Sequence, residues 1–289
     1  MRPDDWHLTD DVHEFLALAG DFLCSRPALH TTPLTVTEKL RTGGADAEAA
    51  LFGRLESGGE VRAVFYRLRS RRLTLTTLDP EQADTLAADL AGLGHRLSGV
   101  TSDHETATAF AASWQRQTGA VPARDWRARL YRLGTLTPPE PAAEGRGRPA
   151  SGPDHERLVR WCREFCVDVG EQVSIDAGSW AGTRFADKHF TFWEAPDGTP
   201  VSMAGSTSMV GGMIRVDPVY TPARLRGRGY AGAVTVAVSR AALAAGATDV
   251  VLFTNPDNPT SNALYQRLGY TPVTYFTGYG FSDAAPKAR

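Results

Sequence analysis

The stretch from Thr137 to Asp154, TPPEPAAEGRGRPASGPD, does more than any other to limit how this chain folds. Its prolines lack the N–H that a helix interior or a central strand must supply, and its glycines make an ordered backbone entropically unfavourable. No apolar period, of helix or of strand, continues across it. The 289 residues therefore read as two domains, 1–136 and 154–289, separated by a linker at 137–153.

Beyond the linker, Asp154 is a good helix N-cap, and Leu158, Trp161, Cys162, Phe165 and Val169 recur at helical spacing. KHFTFWEAPDGTPVSMAG reads as two strands about an Asp-Gly turn, and MIRVDPVYT as a third. A helix is predicted over Arg228–Ala245, stopped by Gly246. A buried strand, DVVLFT, follows, then a short helix, PTSNALYQRL, ending at Gly269, and YTPVTYF opens a final pair of strands. The first half repeats this order more faintly. Helices are predicted over Asp11–Leu23 and Leu34–Leu40, then strands ALFGRLE, VRAVFYRL and LTLTTL. A helix PEQADTLAADLAGL, a strand RLSGV, a helix HETATAFAASWQRQ and a strand RARLYRLGTL complete it. This alternation predicts an α/β (α+β) fold class, and the shared order predicts a duplication.

A formal charge of -2 gives no general attraction to nucleic acid or to an anionic membrane, so neither is expected as a partner. Three cysteines make no disulfide framework; Cys162 and Cys166 are read as apolar packing and no metal site is expected. The start, MRPDDWHLTDD, lacks a hydrophobic signal region, and no run of about 18 apolar residues occurs, which leads us to expect a cytoplasmic protein.

The chemistry concentrates in VYTPARLRGRGYAGAVTVAV, Val219 to Val238. Glycines remove side chains where a helix begins, and the backbone N–H groups left there suit phosphate. Arginines at a helix start oppose its dipole unless an anion binds between them. The counterpart in the first half, TLDPEQAD, has no glycine and offers Asp79, Glu81 and Asp84, which repel phosphate.

GRGYAG also matches G-x-G-x-x-G at Gly227, Gly229 and Gly232, so a dinucleotide site is one alternative. That fingerprint directly follows the first strand of a parallel sheet and needs an acid ending the next one. Here PARLR intervenes, Asp249 opens the next strand, and too little chain remains. Coenzyme A fits better. ARLRGRGYA carries the pattern Gln/Arg-x-x-Gly-x-Gly/Ala at Arg224, Gly227 and Gly229. With NPDNPTSNALYQRLGY it resembles the GCN5-related N-acetyltransferase family over Arg148 to about Phe281, and in particular a bacterial branch with a degenerate first domain.

The resemblance implies two such domains in tandem, each a mixed, mostly antiparallel sheet flanked by helices. It implies acetyl-CoA as cosubstrate, no metal, and acetyl transfer to a small-molecule or peptide amine by direct attack on the thioester, in a monomer or homodimer. The N–H groups of Arg226, Gly227, Arg228, Gly229, Tyr230 and Ala231 would hold the pyrophosphate. Val219, Tyr220 and Thr221 would splay from VVLFT and pair with pantetheine. Asn258 would lie beside the pantetheine arm, and Tyr265 would be the general acid for the departing thiolate. The carboxylate base that the family often places on the third strand falls on Pro218 here; Glu194 is the first substitute, with Asp217 and His189 behind it. An acyl-CoA-binding or regulatory module without turnover is the second alternative.

Overall fold

The computed structural model of the chain describes residues 4–43, 50–68, 72–171, 180 and 183–282. It comprises two compact units, one of Met1–Leu130 with Val273–Arg289 and one of Tyr131–Pro272.

The first unit runs β1 (Asp4–Thr9), α1 (Val12–Ser25), α2 (Thr31–Thr42), β2 (Ala50–Ser57), β3 (Glu60–Leu68), β4 (Leu73–Leu75), α3 (Pro80–Gly92), β5 (Gly99–Asp103), α4 (His104–Thr118) and most of β6 (Val121–Leu133). Strands β1 to β4 form an antiparallel meander, and β4 then pairs in parallel with β5 across the α3 crossover. Phe65, Leu73, Leu86, Phe110 and Trp114 form the apolar core where α3 and α4 cover the sheet. Strand β1 has only Trp6 and Leu8 as alternating apolar residues, too short a pattern to announce it; its backbone pairing with β2 is what makes DDWHLT a strand.

The second unit runs β7 (Arg146–Pro149), α5 (His155–Val169), β8 (His189–Glu194), β9 (Pro200–Ser206), β10 (Met213–Tyr220), α6 (Tyr230–Ala244), β11 (Asp249–Thr254), α7 (Pro259–Arg267) and the start of β12 (Tyr270–Ser282). Strands β7 to β10 are antiparallel and β10–β11 parallel, so both units repeat the same meander followed by one parallel crossover. Val216, Val234, Val250, Leu252 and Tyr270 fill one core cluster, which takes in side chains of α6 and α7. Trp161, Cys162, Phe192, Met203 and Tyr220 fill another with α5. The α5 thiols are packing groups: burial pushes Cys162 up to about 12 and Cys166 up to about 11.

Two segments depart from the sequence reading. Part of the stretch read as linker is β7, an edge strand whose Arg148 bonds to Asp154 and Glu194. Residues 273–282, read with the second half, lie in the first unit, where Phe276–Gly280 pair with β5. Strand pairing over long sequence separation decides both, and no local pattern encodes it.

Candidate active site

Between β10 and α6 the chain makes one 3₁₀ turn, Ala223–Leu225, and then two left-handed steps, Gly227 at φ 77° and Gly229 at φ 80°. A side chain at either φ is strained, which explains both glycines. Space is not the reason at Gly227, where a β-carbon would meet nothing within 4 Å. Gly229 is the N-cap of α6 and offers no side chain to its first turn, so the N–H groups that begin the helix lack a side-chain acceptor. Arg224 and Arg228 are exposed and have no partner among the described residues. Arg226 is different: its Nε donates to the Thr221 carbonyl at 2.9 Å, and its guanidinium pairs with Asp168 on α5. That side chain ties the turn down, leaving two free cations where the sequence suggested three.

Immediately upstream, β10 and β11 part. They pair in parallel only at Met213–Asp249, Ile214–Val250 and Arg215–Val251. Against β9 the register is Val216–Ser206 and then Val219–Ala204, so Asp217 and Pro218 bulge opposite Gly205 alone. The bulge turns β10 off β11, and Val219 and Tyr220 remain hydrogen-bonded to β9 on one side only. A cleft between two diverging parallel strands thus leads to an uncapped helix N-terminus.

Helix α7 follows β11 and contributes Tyr265, 8% exposed and T-shaped against Tyr270 at 6.0 Å. Its hydroxyl makes no hydrogen bond among the described residues. Burial, then Tyr270 and Asp217, push the Tyr265 phenol well above its ordinary range. Asn258 is the N-cap of α7, its Oδ1 accepting from Ser261 N at 3.1 Å. Sequence reasoning missed Asn262. Buried beside it, Asn262 donates to the carbonyls of Asn255 (2.9 Å) and Asn258 (2.7 Å) and accepts from Tyr131 (3.0 Å) and Thr254 (2.8 Å). It fixes the loop that delivers α7, and only its place in the NPTSNALY run could have flagged it.

The carboxylates considered as bases are engaged by cations. Glu194 is buried, with Arg148 Nε at 2.7 Å and Arg146 Nε at 3.3 Å. The hydrogen bond from Arg148 holds it below the usual carboxylate range, which makes it a poor proton acceptor; its geometry is that of a clasp for β7. Burial opposes ionisation of Asp217, yet Lys188, Arg184 and Arg215 outweigh it and hold the carboxyl low. His189 is exposed and 3.3 Å from the Ser208 hydroxyl. Among the described residues, no group of three or more His, Cys, Asp or Glu is arranged to hold a metal ion, and no helix is long and apolar enough to cross a membrane.

Residues 206–277, from the end of β9 into β12, match the family described as FR47-like protein. No curated protein matches the chain. Among solved structures, a GCN5-related N-acetyltransferase from Sphaerobacter thermophilus superposes with a TM-score of 0.57 at 16% identity, covering 99% of this chain and 97% of that one. A tandem protein of the same family from the clavulanic acid biosynthesis pathway gives 0.55 at 13% identity, covering 98% and 100%. An acetyltransferase of the family from Colwellia psychrerythraea gives 0.60 at 11% identity, covering 96% and 100%. The parted strands, the glycine turn and these superpositions agree, and the chain has the tandem fold of the GCN5-related N-acetyltransferases.

Proposed function

We propose that the second unit binds acetyl-CoA and transfers its acetyl group to an amine, on a small molecule or a peptide. The observation that carries this reading is the cleft where β10 leaves β11, ending at the uncapped glycine start of α6. The donors fit the coenzyme: N–H groups from Arg226 to Ala231 suit its pyrophosphate, and the helix dipole favours that charge. Arg224 and Arg228 add free cations beside it. The one-sided backbone of Val219 and Tyr220, with Thr221 after it, offers pantetheine a strand edge.

In the reaction the amine nitrogen forms a bond to the thioester carbonyl carbon and the carbon–sulfur bond breaks. Tyr265 is protonated at neutral pH, and its hydroxyl has a proton to give to the departing thiolate. Because Glu194 and Asp217 are held by arginine and lysine, we assign neither as base. An amine that reaches the cleft uncharged needs only solvent to accept its proton after attack.

Thermal denaturation tests the ligand. Acetyl-CoA at saturating concentration is expected to raise the melting temperature, and NAD is not. Stabilisation by NAD alone would return the dinucleotide reading. Release of coenzyme thiol with a panel of primary amines then separates an enzyme from a module that only binds.

A further inference from the structure

The bulge that opens the cleft is itself held by charge. Lys188 stands immediately before β8, its side chain only 6% exposed. Its ammonium donates to the main-chain carbonyl of Asp217 at 2.9 Å and also pairs with the Asp217 carboxylate. Arg184 reaches the same carboxylate at 2.6 Å, is itself gripped by Glu171 at 2.9 Å, and lies over the Phe185 ring at 4.4 Å. On the neighbouring strand Gly205 clears the way, since a β-carbon there would come within 2.7 Å of the Asp217 carbonyl.

A buried ammonium is an unfavourable choice where stability alone matters, because apolar side chains of similar volume do as well or better. Direction is what an apolar pair would not supply. Lys188 bonds the main-chain carbonyl of a bulge residue, two residues beyond the last β10–β11 pair. The bond anchors that carbonyl on the side of Lys188 and Phe185, and it satisfies a main-chain acceptor that would otherwise seek another partner. Tyr265 feels the charge of Asp217, so the same cluster lies within electrostatic reach of the proposed acid.

We propose that Lys188 and Asp217, braced by Arg184, form a latch that keeps β10 parted from β11, and that they are positioning residues for the pantetheine arm. This rests on the coenzyme reading above. Without the latch, β10 is free to relax towards β11 and narrow the gap, while the glycine turn is left as it is.

The test compares acetyl-CoA with adenosine 3′,5′-bisphosphate, which has phosphates for the turn but no pantetheine, by isothermal titration of the full chain. Lys188→Met is expected to bind acetyl-CoA about tenfold more weakly, the loss of one or two hydrogen bonds to pantetheine, and the bisphosphate as the wild type does. Asp217→Asn, which keeps the carbonyl bond, should show the same preference to a smaller degree and serves if Lys188→Met does not fold. Unchanged affinity for acetyl-CoA in both variants overturns the latch, and so does a parallel loss of both ligands. A wild type that binds neither ligand overturns the coenzyme reading itself.

Discussion

Tyr265 illustrates how far a single residue can be read. Its place in NPTSNALYQRLGY pointed to a proton donor, and the structure adds a hydroxyl without a hydrogen-bond partner among the described residues, on a ring buried against Tyr270. Tyr265→Phe keeps the ring and its packing and removes only the hydroxyl, and with it the proton. It is expected to lower kcat by about 10²-fold, the lower end for general acid catalysis, and to leave acetyl-CoA affinity nearly unchanged. An unaltered kcat with a good amine would make the tyrosine a core residue only. Gly229→Val carries the opposite signature. It forces a β-branched residue to φ 80° at the start of α6, and titration should show acetyl-CoA affinity lost while the far-ultraviolet spectrum persists.

At the scale of elements, β7 depends on charge. Arg148 joins Asp154, the residue before α5, to Glu194, the end of β8. Both carboxyls lie below their ordinary range, chiefly through their hydrogen bonds to Arg148. A group whose folded value is depressed stabilises the protein above its unfolded value, and that stability is lost as pH falls through the interval below about 4. Arg148→Met is therefore expected to lower the melting temperature by several degrees at pH 7, and the gap from wild type should shrink at pH 3. A gap of constant size across that range would mean that Arg148 acts by packing alone.

The two units repeat one topology but begin their crossover helices differently. In the first, Asp79 caps α3 by accepting from Gln82 N at 2.8 Å, and Gln82 Oε1 accepts in turn from Asp79 N at 3.1 Å. That capping box satisfies donors which in α6 stay open, and it puts negative charge where phosphate would sit. Titration of the whole molecule should give one acetyl-CoA per chain; a stoichiometry near two would show that the first unit also binds. The cores also bear on truncation. Tyr131 and Leu133 are buried in the second unit's cluster, so a fragment starting at Arg148 lacks part of its own core and is expected to be poorly soluble.

The turn Arg224–Gly229, the helix after it and the alternation of strands and helices were legible in the sequence, because φ > 0, amphipathic spacing and turn chemistry are local properties. Gly227 and Gly229 announced a left-handed turn at the start of a helix, and both have positive φ. Tertiary structure alone decided which charges remain free there. Arg226 resembled its neighbours until Asp168, distant in sequence, took up its charge. Glu194 and Asp217 looked available as bases until Arg148 and Lys188 came within bonding distance. The pairing of β12 with β5, and of β7 with β8, depends likewise on residues far apart along the chain. Local pattern sets the conformation of each segment, but an ion pair or a strand ladder exists only once the whole chain brings its two sides together.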